Sequence, residues 1–381
     1  MRHLRPPVRT VLAVLATAGV LGGGVAAVAV LSAGRPIPAA AFVPAPTPSA
    51  MVSASGPVGS PSAGSSTSVS PSPSSARSPS GAVRPVPGGP GLLIGVGDQA
   101  DDDIRSALVK QAPAKMLTSW YNKPTDLTWL SSWRNTTIPQ AYAAGFAMHL
   151  VVWNNDPEAP LSTAYGPACG RPYPLSDRFL DDIRQMAQVF GGRANGPPLY
   201  VTMFTEFETY PCKDNAWKTD TATTNYYRAL QDRYRAAFKV VHDNAPNAKV
   251  SLGWGGWQAS YDNSGTGGGR SLFPHFADIM RMSDFQSFQA MDNVSNIDHI
   301  KQMVGILGQY GPVMLAHYKP GNASKTTFDA DLHTIFTDEF LASITKAGLF
   351  AMSFMDTVNL DSSPSSFAFV RDAVTRYGRG W

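Results

Sequence analysis

The sequence predicts a single (β/α)₈ (TIM) barrel, an α/β fold, on two observations. Eight short apolar runs of strand type alternate with longer stretches that carry apolar residues at helical spacing. The alternation fills residues 91–381, a length that suits one large barrel, and no repeat of the solenoid kind is visible. Eight repeats of strand and helix favour a closed parallel barrel over a doubly wound open sheet.

The predicted elements follow one another along this region. The strands are 92–97, 115–120, 148–153, 198–210, 250–254, 285–291, 312–317 and 349–355. Apolar residues at steps of three and four predict one helix after Ser176, a good N-cap, and another over residues 227–241. Further helices are predicted over 329–347 and 363–377, which completes the alternation.

Two segments precede the predicted barrel. Residues 1–41 carry Arg2, Arg5 and Arg9 ahead of a long apolar run, the pattern of a signal peptide or of an uncleaved membrane anchor. Residues 42–90 consist mostly of Ser, Pro, Ala, Gly and Val, and predict a disordered linker because they offer too little apolar surface to fold. We expect a secreted or membrane-anchored protein with an extracellular barrel.

The formal net charge of +3 comes from these N-terminal segments. Residues 1–90 hold six arginines and no acidic residue, which leaves 25 of the 31 basic residues against all 28 acidic ones in the barrel region. A balance of −3 gives no reason to expect nucleic-acid binding.

The two cysteines of the chain predict a disulfide. In an exported protein an isolated pair such as Cys169 and Cys212 is typically bonded, and the bond would hold two loops beside the fourth strand. No His or Cys cluster has the spacing of a metal site, so we expect neither a metal nor another cofactor.

The fourth predicted strand ends in two carboxylates and supplies the main catalytic candidate. Strand side chains alternate between faces. One face carries Tyr200, Thr202, Phe204, Glu206 and Glu208, and the other carries Leu199, Val201, Met203 and Phe207. With the first face inside the barrel, Glu206 follows apolar residues, where desolvation raises a carboxyl pKa and suits it as a proton donor. A structural ion pair is the alternative role.

A proton-donating carboxyl group often works with a second carboxyl group; in the cleavage of a glycosidic bond, for example, the second group is the nucleophile or the base for water. Glu208 lies one strand period beyond Glu206, about 6.6 Å along the strand, so it is predicted to tune charge or to bind a hydroxyl. A partner on the other side of the bond is expected from across the barrel, with Asp292 preferred to Asp356.

Aromatic and amide side chains are concentrated where the predicted strands end, which is the catalytic face of such barrels. Flat rings beside hydrogen-bonding groups suit a sugar, whose C–H faces pack on them. The predicted sugar-binding residues are Trp120, Asn122, Trp153, Asn154, Tyr210, Trp254, Trp257, His317 and Tyr318. Any single indole could instead cap the barrel core, and His317 could be structural.

The layout resembles the (β/α)₈ glycoside hydrolases, most nearly the mannanase and lichenase group called family 26. Thr205-Glu206 resembles that family's His-Glu at the fourth strand, which implies an acid/base role for Glu206. Residues 226–254 are similar to its long fourth helix and Trp-bearing fifth strand. His317 stands where the family carries its nucleophilic glutamate. This departure argues against retaining catalysis by the family's route.

Three functions are compatible with these patterns. The first is an exported glycoside hydrolase that acts on a polysaccharide or oligosaccharide through Glu206 and one of Asp292, Asp356 or Glu208. The second, which His317 favours, is a catalytically inactive barrel that binds carbohydrate at the cell surface. A polysaccharide lyase or esterase is the third, and the lack of a Gly-x-Ser-x-Gly motif speaks against the esterase.

Overall fold

A computed structural model describes residues 91–319 and 325–381 of the chain. The predicted signal or anchor segment and the predicted linker, residues 1–90, lie outside the described residues. Within the described ranges, no helix combines the length and the apolar character that crossing a membrane requires.

Eight parallel strands of the described region form a closed barrel, which confirms the predicted fold. They are β1 (Leu93–Val96), β2 (Met116–Tyr121), β3 (Ala147–Val152), β4 (Leu199–Met203), β5 (Ala248–Trp254), β6 (Gln286–Ala290), β7 (Val313–Tyr318) and β8 (Leu349–Phe354). Each strand pairs with its neighbours in chain order, and β1 closes the barrel by pairing with β8.

Helices cover the outside of the barrel. In the described residues the α-helices are α1 (Ala100–Asp103), α2 (Ala107–Gln111), α3 (Leu127–Leu130), α4 (Thr137–Ala143), α5 (Asp177–Phe190), α6 (Thr221–Asn244), α7 (Ala277–Met282), α8 (Ile297–Leu307), α9 (Lys325–Ile335), α10 (Asp338–Lys346), α11 (Val358–Asp361) and α12 (Pro364–Tyr377). Short 3₁₀ helices span Pro124–Asp126, Ser131–Asn135, Tyr173–Leu175, Phe207–Thr209, Gly256–Ala259 and Arg270–Phe276. Two antiparallel hairpins join Ala159–Thr163 to Gly166–Gly170 and Asp262–Asn263 to Gly268–Gly269.

Helix caps explain where several of these elements begin. The Ser176 hydroxyl accepts a hydrogen bond from Phe179 N at 3.2 Å, so α5 starts behind the residue predicted to cap it. The single helix predicted over 329–347 is wrong, because the chain breaks between α9 and α10. Thr337 caps α10 there by accepting a hydrogen bond from Phe340 N at 3.2 Å.

The barrel interior is filled in layers, as small parallel barrels require. The lower layer is mostly apolar and consists of Leu93, Met116, Ala147, Tyr200, Phe285, Met314, Ala316, Phe350 and Ala351. Above it lies a hydrogen-bonded polar layer, in which His149 contacts Thr118 at 3.2 Å and Thr202 at 2.9 Å. The inward direction predicted for Tyr200 and Thr202 is therefore confirmed.

The strand predicted to continue to Glu208 is shorter than expected. It ends at Met203, and Phe204 and Glu206 both take left-handed backbone conformations with φ of 56°. Such residues break the two-residue alternation of a strand. Phe204 was predicted to face inward and instead packs outside the barrel, 5.0 Å from the Phe179 ring. Glu208 follows in a 3₁₀ turn, so the spacing expected along a strand does not apply to it.

Candidate active site

Glu206 lies at the carboxyl end of β4, half-buried, with its carboxyl group directed at β6. Its Oε1 accepts a hydrogen bond from the Gln289 side-chain amide. The Trp153 indole N–H faces the same carboxyl, although it lies outside hydrogen-bond geometry. Burial raises the pKa of Glu206, and the Gln289 hydrogen bond and the Arg171 charge oppose that rise. The result is a carboxylic acid that holds its proton more firmly than an exposed glutamate.

Glu208 is fully buried behind Glu206. Its Oε1 accepts a hydrogen bond from Gly255 N at 2.8 Å, and its Oε2 has no partner among the described residues. Burial raises the pKa of Glu208 to about 8, and the Glu206 charge adds to the rise. Because the Glu208 carboxyl is fully buried, it can support the conformation of the site but does not face solvent.

Asp292 and Asp356 each hold together the loop that carries them. Asp292 Oδ1 accepts a hydrogen bond from Asn293 N at 2.6 Å, and its Oδ2 lies 3.6 Å from His299 Nδ1. Asp356 Oδ1 accepts from Val358 N at 3.1 Å, and its Oδ2 lies 3.6 Å from Lys319 Nζ. In the described residues neither carboxylate has a hydrogen bond or ion pair with Glu206. Their assignment as the second carboxyl group stays a prediction.

The predicted aromatic platforms differ in exposure. Trp120, Trp153 and Trp257 are half-buried, and Trp257 stacks on exposed Tyr261 at 6.3 Å with an interplanar angle of 12°. These three indoles are partly open to solvent, and their role as sugar contacts stays a prediction. Trp254 is fully buried, 4.4 Å from the Phe273 ring, which makes it a core residue and corrects its prediction as a sugar contact.

The predicted amides and Tyr210 carry polar atoms that the described residues leave unpaired. Asn122 Oδ1, Asn154 Nδ2 and the Tyr210 hydroxyl are buried without a hydrogen-bond partner. Asn122 N donates to Asp126 Oδ2 at 2.9 Å, and Asn154 Oδ1 accepts from Asp156 N at 3.3 Å, so both backbones are fixed.

A register shift in β7 decides which side chains of that strand enter the barrel. Relative to β6, β7 gains a residue between Leu315 and His317. Tyr318 therefore points outward, 5.8 Å from the Phe328 ring and with its hydroxyl near Asp331, which corrects its prediction as a sugar contact. Strand alternation alone could not show this, because the bulge reverses the faces of the residues that follow it.

His317 enters the barrel and is fully buried. Its ring lies 4.4 Å from that of Trp120 and 6.4 Å from that of His149. Burial lowers the pKa of His317 to about 3, so the imidazole is neutral, and neither ring nitrogen has a partner in the described part of the chain. At the seventh strand the site thus holds a neutral group in place of a carboxylate.

Two residues of the site escaped the sequence analysis. Gln289 lies two positions after inward-facing Ser287 and could have been found from strand alternation. Arg171 follows the first hairpin, where no periodic pattern exists. Its guanidinium lies 5.9 Å from the Trp153 ring and 4.7 Å from the Tyr210 ring, and Nη1 donates to Asn154 O.

The predicted disulfide between Cys169 and Cys212 is present, with 5.3 Å between the Cα atoms. It joins the first hairpin to the segment that follows Glu206. Backbone hydrogen bonds run beside it, from Cys212 N to Cys169 O at 3.1 Å and from Arg171 N to Tyr210 O at 2.9 Å. The disulfide therefore fixes the part of the rim that carries Arg171.

Among the described residues, no group of three or more His, Cys, Asp or Glu side chains is placed to hold a metal ion.

Neither a family model nor a curated protein matches the chain. Solved structures that match it include a GH5-4 broad-specificity endoglucanase from an uncultured bacterium, 14% identical, covering 71% of this chain and 83% of that one, with a TM-score of 0.47. A β-1,4-mannanase from the common sea hare Aplysia kurodai is 10% identical (74% and 92% covered, TM-score 0.44). The Ignisphaera aggregans GH53 catalytic domain is 15% identical (72% and 87% covered, TM-score 0.44). These likenesses concern the fold alone, and the resemblance to family 26 in particular is not confirmed.

Proposed function

We propose that this protein is a glycoside hydrolase that cleaves a polysaccharide or oligosaccharide, with Glu206 as its general acid. The environment of Glu206 is the observation that carries the proposal. The carboxyl group is half-buried at the carboxyl end of β4, its pKa is raised by burial, and Gln289 orients it through a hydrogen bond. A carboxylic acid whose pKa is raised above its usual value is suited to protonate the leaving oxygen of a glycosidic bond.

The surroundings of Glu206 suit a sugar chain. Trp120, Trp153 and Trp257 are half-buried, so each can present a ring face to the C–H groups of a sugar. The second carboxyl group belongs to Asp292 or Asp356, since Glu208 is enclosed and its raised pKa keeps it protonated at neutral pH. Export of the protein, with a secreted or membrane-anchored barrel, belongs to the same proposal and rests on residues 1–90.

The test compares the protein with its Glu206→Gln variant on a panel of mannans, β-glucans and acidic polysaccharides, following new reducing ends and binding together. Glutamine keeps an oxygen that can accept from Gln289 but cannot donate an acidic proton. We expect turnover to fall by about 10²- to 10⁴-fold while binding stays within a few-fold.

Glu339→Gln is the matched control, because Glu339 is exposed on α10 and the chemical change is the same. It should leave turnover unchanged. A Glu206→Gln variant that retains most of the original rate would remove Glu206 from the mechanism. Asn substitutions at Asp292 and Asp356, assayed on the same panel, identify the second carboxyl group.

His317 favours a second candidate function, a barrel that binds carbohydrate without cleaving it. A neutral imidazole at β7 supplies neither a carboxylate nucleophile nor a negative charge for the reaction. In that case the protein and its Glu206→Gln variant would bind the same polysaccharide and neither would release reducing ends.

A further inference from the structure

Unpaired hydrogen-bond donors surround the Arg171 side chain. In the described part of the protein, Arg171 Nε, Asn154 Nδ2 and the Tyr210 hydroxyl have no hydrogen-bond partner, although all three atoms are buried. Asn154 is 3% exposed and Tyr210 0%. Leaving such groups unpaired costs about 1–3 kcal/mol each, so a cluster of them calls for a partner.

The chemistry of the cluster defines what that partner would be. A guanidinium has five N–H donors and no acceptor, and an amide NH₂ group only donates. An acceptor with negative charge satisfies both. Among the described residues, the carboxylate of Glu158 forms an ion pair with Arg171, but at 3.7 Å from Nε it is too distant for a hydrogen bond. Its side chain is 38% exposed, so another carboxylate can compete with it.

The position of Arg171 connects this cluster to the candidate acid. Arg171 N donates to Tyr210 O at 2.9 Å, and Tyr210 N donates to Phe207 O at 3.1 Å, so the backbone of Arg171 pairs with the short turn that follows Glu206. The Arg171 charge accordingly lowers the pKa of Glu206. The Trp153 and Tyr210 rings, with centroids 5.9 and 4.7 Å from Arg171 Cζ, hold the guanidinium by cation–π contacts. The disulfide fixes the backbone below it.

We propose that Arg171 binds the carboxylate of an acidic sugar beside Glu206, so that the substrate is a chain containing uronic acid residues. This inference rests on the proposed function, since it takes the groove to be a sugar site. A carboxylate matches the planar fork of a guanidinium, and binding it supplies the acceptor that the cluster lacks.

Substrate binding then acts on the chemistry. A carboxylate that pairs with Arg171 neutralises the charge that lowers the pKa of Glu206, so the pKa of Glu206 rises further. The acidic substrate thereby helps to keep the proton that its own cleavage requires. A neutral sugar in the same place would leave the Arg171 charge uncompensated.

The experiment measures calorimetric binding of matched β-1,4-linked tetrasaccharides to the full chain carrying Glu206→Gln, which prevents turnover. One pair is a glucose oligomer and its glucuronate counterpart, and the other is a mannose oligomer and its mannuronate counterpart. The two members of each pair differ only at C6, which is a hydroxymethyl group in the neutral sugar and a carboxylate in the uronate. We expect the uronate member of at least one pair to bind about 10- to 100-fold more tightly, as a charged hydrogen bond provides.

Variants at the ion pair assign the effect to Arg171. Adding Arg171→Gln should remove the preference and leave the neutral member's affinity within about twofold. Arg171→Lys keeps the charge but not the fork, so it should keep only part of the preference. Glu158→Gln removes the competing carboxylate and should tighten uronate binding. Thermal unfolding of each variant and binding of the neutral member report whether the site is still folded.

Several results would overturn the inference. They are equal or tighter binding of the neutral members, equal losses of both members in Arg171→Gln, and tighter binding of a sulfated glucose tetrasaccharide than of the uronates. Each of these leaves the sugar site itself standing. If no member of either pair and no sulfated oligomer bound, the inference and the proposed function would both fail.

Discussion

Glu206 owes its position to a backbone conformation that a side chain seldom adopts. Its φ is 56°, and left-handed residues other than glycine cost about 1–3 kcal/mol and persist only where their surroundings hold them. Two hydrogen bonds do so here, from Glu206 N to Gly253 O at 3.1 Å and from Thr209 N to Glu206 O at 2.9 Å. The turn aims the carboxyl group at Gln289, away from the path that a continuing strand would give it.

Glu208 makes the stability of the protein depend on pH. Its pKa is raised from about 4.5 in an unfolded chain to about 8 in the fold, so the folded state binds the extra proton between these values. The stabilisation is complete below pH 4.5 and is lost as the pH rises towards and through 8. Glu208→Gln removes this pH-dependent stabilisation. Because one pKa unit corresponds to about 1.4 kcal/mol, we expect the difference in free energy of unfolding between the variant and the original protein to change by more than about 1 kcal/mol from pH 5 to pH 9.

Chemical unfolding of the protein and of Glu208→Gln between pH 5 and pH 9 measures this difference. Groups such as Asp103, whose pKa is raised to about 7, titrate in both proteins and cancel in the comparison. The free energy of unfolding of the variant relative to the original protein should increase with pH. A difference that is constant over the whole range would show that Glu208 keeps an ordinary pKa.

Residue types at strand ends were a partial guide to the site. Glu206 was predicted because it follows an apolar strand, which is a local property of the sequence. Tyr318 and Trp254 were mistaken for sugar contacts because a bulge and a packed loop, both tertiary features, turn them into the core. Arg171 was missed because only the folded hairpin brings it beside Trp153.

At the scale of elements, the first hairpin and its disulfide build one wall of the site. The Cys169–Cys212 bond closes a segment with a sequence separation of 43 residues, which in the chain-entropy treatment stabilises the fold by about 4 kcal/mol. We expect reduction to lower the melting temperature by on the order of 10 °C. Because Arg171 and Tyr210 flank the bond, reduction should also weaken ligand binding.

Differential scanning calorimetry with and without reductant checks this, with thiol counting before treatment. A Cys169→Ser/Cys212→Ser double variant is the control, since it should melt at the lower temperature whether or not reductant is present. Two reactive thiols in the untreated protein would contradict the disulfide and its role in the rim.

Elements with a clear period were predicted better than those without one. All eight barrel strands were found, because apolar runs between helical stretches are visible in the sequence. The first hairpin was not predicted, since its strands Ala159–Thr163 and Gly166–Gly170 are short, consist mostly of small residues and are partly exposed. The break between α9 and α10 depends on one capping threonine inside a continuous apolar pattern.

At the scale of the whole molecule, charge and fold are distributed unevenly. The barrel region carries −3 although the full chain carries +3, so an acidic sugar chain meets little general attraction there. Its recognition would depend on a local cation such as Arg171, held by two rings and one disulfide. The hydrogen-bond donors that would recognise the acidic sugar are accordingly concentrated on the wall formed by the first hairpin and its disulfide.

Hydrolysis at Glu206 is tested most directly by cleavage in water enriched in ¹⁸O, with product masses measured for the protein and for Glu206→Gln. Hydrolysis places one ¹⁸O atom at each new reducing end, because water completes the reaction. We expect that label in the products of the original protein and almost no product from the variant. Unsaturated products without ¹⁸O, which indicate a lyase, or no cleavage of any polysaccharide that binds, would contradict the assignment of this barrel as a glycoside hydrolase.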